Sequence, residues 1–257
     1  MRTICIMNHK GGVAKTTTAV NLAAGLSRQD KHVLLVDMDP QSNIALSLDV
    51  KANFTMYDAL TGNVPIENCI VTLAKNFDVI TSKETLVKAE YYLSNQSNSH
   101  LLLKDVLGSL KGYDFILVDC PPSLGILNQN ILAFCKEIFV PTSTDFLGFD
   151  ALKKMRLIVS KINESYGHDI KITKVIPTLF DRRSKICKET LREMHEAFPK
   201  LVSSPIRTNS KLKEAPKYGK SIFKYAKSSP GAKDYGKLVE EVLAMGSLRI
   251  VEEVIQS

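Results

Sequence analysis

Runs of consecutive apolar residues alternate along the whole chain with stretches whose apolar residues recur every three or four positions. A short apolar run bounded by polar residues reads as a strand buried on both faces, and the longer 3.6-residue period reads as an amphipathic helix. The pattern predicts strands at Thr3–Met7, Val33–Val36, Phe77–Thr81, Phe115–Val118, Glu137–Pro141 and Ile172–Pro177. It predicts helices at Thr16–Arg28, Thr85–Leu93, Leu101–Leu110, Leu124–Phe134, Phe149–Tyr166, Lys185–Phe198 and Ala232–Met245. Doubly buried strands alternating with helices imply an α/β fold, a doubly wound and mainly parallel sheet with helices on both sides. Ser94–Ser99 is polar and reads as a connecting loop, and Gly246–Ser257 as a short extra helix or frayed tail.

Composition narrows the class without changing that picture. At 257 residues the chain can build one sizeable α/β domain or two small ones. It is 44% hydrophobic and 24% charged, the balance of a soluble globular protein. No stretch approaches the roughly 18 apolar residues of a membrane span. The first strand starts almost at once, without a signal-peptide layout before it. The five cysteines, Cys5, Cys69, Cys120, Cys135 and Cys187, are scattered and form no C-x-x-C pair. Neither a zinc site nor a disulfide framework is indicated, and a reducing, cytoplasmic location is expected.

Charge is unevenly placed. Residues 182–227 hold 13 lysines and arginines against four glutamates, a local charge of +9, while the rest of the chain holds 21 basic against 23 acidic residues. Concentrated positive charge is the electrostatic footprint of phosphate-backbone binding. A solvated basic face is the plainer alternative.

The sharpest chemical signal is Asn8-His9-Lys10-Gly11-Gly12-Val13-Ala14-Lys15-Thr16-Thr17-Thr18, between the first predicted strand and the first helix. Backbone amides converge at such a helix start, and the helix dipole adds positive potential. Glycines let the backbone approach phosphate oxygens closely. In a loop of this kind Lys15 reaches the β- and γ-phosphates and the Thr16 hydroxyl ligates Mg²⁺. The common pattern G-x-x-x-x-G-K-[ST] is missed twice, at His9 and Ala14; the segment fits the narrower K-G-G-x-x-K-[ST] variant, which adds Lys10.

Lys10–Thr18 with Ala19-Val20-Asn21-Leu22-Ala23 resembles the ParA/Soj group of the ParA–MinD partitioning ATPases. The resemblance implies a deviant P-loop ATPase domain over residues 1–246, with 247–257 a helical tail. It implies that Lys10 crosses to the partner subunit's nucleotide in an ATP-bound dimer, with Gly12 at that interface. Ala14 departs from the glycine usual there, and its methyl is expected to crowd the phosphates slightly.

Two acidic segments join the loop. Val33–Val36 runs into Asp37-Met38-Asp39-Pro40-Gln41, and ligands of open α/β sheets bind beyond the carboxyl ends of strands. By resemblance Asp39 belongs to the first switch, where it positions the attacking water or the metal's water shell, supported by Asp37. Phe115–Val118 ends in Asp119, the arrangement of a Walker B strand, and the following Cys120-Pro121-Pro122 resembles the family's second switch. Asp119 is expected to hold Mg²⁺ through water, since Mg²⁺ gives up its waters reluctantly.

The resemblance extends over roughly residues 1–245. Pro177–Arg183 resembles the family's loop after a late strand, Thr144–Leu152 its interface segment before a long helix, and Pro205–Lys220 its P-R-x-x-x-L-x-E-A-P-x-x-G segment. The predicted nucleotide site therefore takes in Lys10, Gly11, Gly12, Val13, Ala14, Lys15, Thr16 and Thr17, with Pro205 and Asn209 at the adenine. The metal side is Thr16, Asp39 and Asp119, and the chemistry rests on Lys10, Lys15 and Asp39. The implied activity is ATP hydrolysis, slow alone and stimulated by a ParB-like centromere-binding protein, in a homodimer that binds DNA without sequence preference on the nucleoid. Candidate DNA contacts are Arg182, Arg183, Lys185, Arg207, Lys211, Lys213, Lys217, Lys220, Lys224 and Lys227.

Other readings share the loop. A MinD-type membrane-associated ATPase needs a basic amphipathic C-terminal helix. Leu238–Ile255 has helically spaced apolar residues but carries Glu240, Glu241, Glu252 and Glu253 against Arg249 and the preceding Lys237. An iron–sulfur reductase component needs a cluster-holding cysteine pair, and none is evident. A regulator that binds ATP and DNA without hydrolysis is kept open by Ala14.

Overall fold

A computed structural model describes residues 1–94, 99–123 and 125–256, with only the backbone from Gly246 onward. Residues 95–98 of the predicted loop, and Leu124 at the start of one predicted helix, lie outside the described residues.

The strands are β1 (Arg2–Ile6), β2 (Val33–Asp37), β3 (Ile70–Ala74), β4 (Phe77–Ile80), β5 (Phe115–Asp119), β6 (Glu137–Ser143) and β7 (Lys171–Thr178). They form one sheet in the order β3-β4-β2-β5-β1-β6-β7. Every pairing is parallel except β3 with β4. The doubly wound α/β sheet expected from the sequence is therefore the fold, extended by one antiparallel edge strand. β3 was not predicted. Its Ile-Val-Thr-Leu-Ala run is apolar except for Thr72 yet half-buried to exposed along its length, and it turns into β4 through Lys75 and Asn76, the latter at φ +62°.

The helices are α1 (Lys15–Ser27), α2 (Asn43–Leu48), α3 (Met56–Leu60), α4 (Leu86–Ser94), α5 (Leu102–Gly108), α6 (Ile126–Phe134), α7 (Phe146–Tyr166), α8 (Lys185–Ala197), α9 (Ser210–Glu214), α10 (Ile222–Tyr225) and α11 (Pro230–Gln256). Helix α7 starts three residues before the predicted Phe149, because the Asp145 carboxylate accepts from the Gly148 amide at 2.8 Å and caps it there. Helix α11 continues past Met245 and takes the backbone of the predicted tail into one helix.

The two faces of the sheet carry separate cores. On one, Val36, Val118, Leu127, Ile131, Leu152 and Met155 are fully buried beneath α3–α8; on the other, Ile4, Leu22, Leu26, Leu35, Leu117, Tyr235 and Leu238 are buried beneath α1, α10 and α11. Both faces of β1, β2 and β5 are thus covered, which is why those strands read as unbroken apolar runs. The chain leaves β1 to one face through α1 and leaves β5 to the other through α6. The crevice above their carboxyl ends is the place where such sheets bind ligands.

Candidate functional site

The loop between β1 and α1 is pinned on both sides. Asn8 is fully buried; its side-chain amide donates to the Pro141 carbonyl at 2.9 Å and its oxygen accepts from the Lys10 amide at 2.9 Å. Further along, the Thr178 hydroxyl donates to the Val13 carbonyl at 3.1 Å. The loop therefore hangs between the ends of β6 and β7, and α1 begins with the Thr18 amide donating to the Ala14 carbonyl at 2.9 Å.

Two backbone positions explain the loop's composition. Gly12 sits at φ +74°, where a side chain is strained. Gly11 has no such torsion, and a Cβ there would meet nothing within 4 Å. Among the described residues nothing requires glycine at 11, and the position leaves open space over the loop. Ala14 is at φ 67°, ψ 36°, the left-handed region, immediately before α1. The glycine usual at this place is thus suited to the backbone itself. Ala14 carries a conformational cost of about 1–2 kcal/mol, a different consequence from the crowding of phosphates expected from sequence.

Two adjoining cavities open over the loop and share Ala14 and Thr17. The first, about 360 Å³, is lined by Gly11, Gly12, Lys15, Thr16 and Asp39 and, from α2, by Asn43 and Ser47. The second, about 330 Å³, is lined by Ile206, Thr208, Asn209, Leu212, Pro216 and Tyr235. The first is more polar and sits at a helix start; the second is more enclosed and more apolar. Together they suit a polyphosphate joined to a ring. Asn209 lines the second cavity, with its side-chain oxygen accepting from the Lys211 amide at 3.1 Å to cap α9. Pro205 is not among the lining residues: the chain enters the cavity at Ile206, whose amide donates to the Pro177 carbonyl at 2.8 Å. Val13 is buried and faces the protein, contributing its backbone.

The acids meet at the strand ends. Asp37 and Asp119 are register partners on β2 and β5, and both are fully buried. Asp37 accepts from the amides of Asp39 at 3.0 Å and Ile44 at 3.2 Å. Burial pushes its pKa up to about 7 against the pull of those amides. Asp119 is pushed well above the usual carboxylate range, by burial first and by the Asp37 charge next, with the Thr16 hydroxyl and Lys15 pulling the other way. Both Asp119 oxygens are buried without a hydrogen-bond partner. A buried carboxylate left unsatisfied is costly, and a cation beside it removes the cost.

These donors suit Mg²⁺. Asp119, the Thr16 hydroxyl and the nearby Asp39 offer hard oxygens. No group of three or more His, Cys, Asp or Glu side chains that could hold a metal exists among the described residues. Mg²⁺ is usually held in this way, by one or two carboxylates, water and phosphate oxygens.

Lys10 goes elsewhere. Its Nζ donates to the Asp145 carboxylate at 3.0 Å and to the Ser143 hydroxyl at 3.2 Å, and it does not line the cavity that Lys15 lines. Lys15 is buried, with its Nζ 3.5 Å from the Lys10 carbonyl. Among the residues lining the phosphate-side cavity, Asn43 and Ser47 were not predicted, because a six-residue helix spans under two turns and leaves no readable period.

The basic segment divides. Arg183 pairs with Asp181 at 3.0 Å, Lys211 with Glu214 at 2.8 Å, Lys185 with Glu189 at 3.6 Å and Arg207 with Asp234 through both carboxylate oxygens. Among the described residues no ion pair engages Arg182, Lys213, Lys217, Lys220, Lys224 or Lys227. All six are exposed.

Comparison with known proteins agrees with this geometry. The AAA_31 family model, described as an AAA domain, matches residues 1–172. The chain is 36% identical to the chromosome partitioning protein ParA of Myxococcus xanthus over 248 residues, covering 94% of this chain and 88% of that protein. It is also 36% identical to the chromosome-partitioning ATPase Soj of Treponema pallidum, covering 96% and 99%. Among solved structures, cobyrinic acid a,c-diamide synthase of Mycobacterium smegmatis, with bound ATP analog and magnesium, superposes with a TM-score of 0.81 at 28% identity, covering 95% and 94%. The septum site-determining protein MinD of Pyrococcus horikoshii, complexed with Mg-ADP, superposes with a TM-score of 0.81 at 27% identity, covering 96% and 98%. With a loop, a pair of cavities and a carboxylate cluster all of the kind this likeness requires, the chain belongs to the ParA/Soj chromosome-partitioning ATPases of the ParA–MinD family.

Proposed function

We propose that this chain is a Mg²⁺-dependent ATPase that moves DNA. ATP brings two copies together, the dimer holds DNA without sequence preference, and a ParB-like centromere-binding protein accelerates hydrolysis to ADP and phosphate. The observation that carries this reading is the placement of Lys10. Its ammonium lies outside the cavity of its own chain, at the edge where Phe146 and Leu147 are 71% and 64% exposed. A second copy docked on that edge covers both side chains and receives Lys10 into its own phosphate cavity.

The chain's residues then divide the work. The amides of Gly11–Thr17 and the Lys15 ammonium hold the β- and γ-phosphates, and the apolar cavity from Ile206 to Pro216 receives the adenine. Thr16 and Asp119 would hold Mg²⁺, which would supply positive charge to the β- and γ-phosphates. Asp39 orients the attacking water. Phosphoryl transfer to water needs positioned charge more than covalent chemistry, so completing the site with a second lysine makes turnover depend on the dimer.

DNA is held by the exposed cations without an ion pair among the described residues: Arg182, Lys213, Lys217 and Lys220, with Lys224 and Lys227 beside them. No helix among the described residues is long and apolar enough to cross a membrane. Association with DNA, and hence with the nucleoid, accounts for the localised charge.

The test is phosphate release measured alone, with DNA, and with DNA plus the ParB-like partner, beside the solution mass with a non-hydrolysable ATP analogue. Slow basal turnover, stimulation by both additions and an analogue-dependent doubling of mass are expected. A monomer at saturating analogue, or a Lys10→Ala variant with unchanged stimulated turnover, would overturn the cross-subunit role. Co-sedimentation with liposomes in place of DNA would favour a MinD-type activity instead.

A further inference from the structure

Ser82 lies just beyond β4, is fully buried, and carries no motif. Its hydroxyl donates to the Asp39 carbonyl at 2.5 Å, and its own carbonyl accepts from the Ser42 hydroxyl at 2.6 Å. Two serines 40 positions apart therefore bracket the loop from Asp39 to Ser42.

That bracket has a local cost. Ser42 precedes α2 and stands where a serine ordinarily caps a helix by accepting from an amide of the first turn. It makes no such bond, and its backbone is left-handed at φ 53°. A non-glycine residue held there, with its capping hydroxyl turned to another partner, persists only where the surroundings over-determine it. The surroundings here are Ser82 on one side and, on the other, the Asp39 carbonyl, which accepts from the Ser42 amide at 3.0 Å. Asp39 is fixed again through its own amide, which donates to Asp37, and through its carboxylate, which accepts from the Gln41 amide at 3.0 Å. Helix α2 starts at the next residue and carries Asn43 and Ser47 to the phosphate-side cavity.

We propose that Ser82 is a positioning residue: with Ser42 it clamps the Asp39–Ser42 loop, so that Asp39, Asn43 and Ser47 face the phosphate-side cavity in one arrangement. The proposal rests on the reading of Asp39 as the residue that orients the attacking water. Ser82 touches neither nucleotide nor water, so its effect falls on the rate more than on binding. Losing one anchor of a reacting group by a fraction of an ångström to 1 Å costs about ten- to a hundredfold in rate.

The test uses the full chain and Ser82→Ala, Ser42→Ala and the double variant. Three quantities are read: thermal midpoint, kcat and KM for Mg·ATP with DNA and partner present, and amide hydrogen exchange across residues 39–47 with a non-hydrolysable ATP analogue bound. The clamp predicts kcat lower by about tenfold or more in each single variant, KM within about twofold of the parent, and a double variant no worse than the poorer single one. It also predicts faster exchange at Ser42 and Ile44 in either variant, with exchange in β5 unchanged. Parental kcat and parental exchange in Ser82→Ala would overturn it, as would a loss of nucleotide affinity that tracks a fall in thermal midpoint. If the parent shows no turnover, the ATPase reading fails while the exchange measurement still decides the clamp.

Discussion

The Lys10 ammonium is held 3.0 Å from the Asp145 carboxylate, and the same carboxylate caps α7 by accepting from the Gly148 amide. One acid thus serves the start of a helix and the lysine expected to leave for a second subunit. Hydrogen bonds from Ser143, Gly148 and Lys10 outweigh the effect of partial burial and hold Asp145 below the ordinary carboxylate range. The pair is part-exposed, at 29% for Lys10 and 47% for Asp145, so solvent screens it to about 0.2–1 kcal/mol. That sum must be given up when Lys10 crosses. Asp145→Asn keeps an oxygen for the cap and removes the charge. The ATP-analogue concentration for half-maximal dimerisation is expected to fall about 1.4- to fivefold, the equivalent of that range. An unchanged or higher concentration would show that the pair does not compete with the dimer.

Ala14 gives a prediction about the backbone. It occupies the left-handed region without the freedom of glycine. Ala14→Gly removes a strain of about 1–2 kcal/mol and adds unfolded-state entropy of about 0.4–1 kcal/mol. A net gain of about 0.5–1 kcal/mol follows, a rise of roughly 1–4 °C in the melting temperature of the nucleotide-free protein. A lower melting temperature for the variant would mean that the loop relies on the alanine methyl for packing.

How much of this was legible beforehand follows from the length of each signal. The six predicted strands lie in the sheet because double burial writes an apolar run that needs no partner to be recognised. The loop from Lys10 to Thr16 was legible as a spacing, and Asp39 and Asp119 as the ends of two such runs. β3 escaped because only Lys75 and Asn76 part it from β4, so its five residues were not read as a strand of their own, and α2, α3, α9 and α10 because four to six residues are too few to establish a period. Asn43 and Ser47 were lost with α2. The pairing of Arg207 with Asp234, 27 residues apart, has no sequence signature at all, so charge counting credited DNA with a cation already in use.

The buried acids set a pH dependence. Asp37 has its pKa raised to about 7 by burial, above about 3.9 for an unfolded aspartate. A carboxyl raised on folding binds its proton more tightly in the native state. Its stabilisation is complete below about pH 4 and is lost as pH rises through about 7. The nucleotide-free protein should therefore lose stability as pH rises from about 4 to about 7, by an amount that Asp37→Asn reduces, the raised Asp119 keeping its own share. Mg²⁺ with nucleotide, which places a cation beside the acids, should flatten the same slope. Denaturant midpoints at several pH values test this, and a slope equal in the parent and in the Asp37→Asn variant would sink it.

The divided basic segment yields two unlike outcomes for what composition treats as one patch. Arg207 is bound by both oxygens of Asp234, which is 11% exposed, so truncating Arg207 leaves a largely buried carboxylate without its cation, held by the residue-207 amide at 2.9 Å. Arg207→Ala is expected to cost about 1–3 kcal/mol of stability, and to change DNA affinity little once folded protein is compared with folded protein. Lys217 and Lys220 are exposed and without an ion pair among the described residues, so Lys217→Ala and Lys220→Ala should leave the melting temperature within about 1 °C. Each should instead weaken DNA binding about equally for every sequence, and lower the slope of log affinity against log salt by about 1. Fluorescence anisotropy over a salt series, with thermal melts of the same samples, separates the two classes. An unchanged slope in both lysine variants, with a reduced slope in Arg207→Ala, would reverse the assignment and place the DNA on the Arg207 side of the segment.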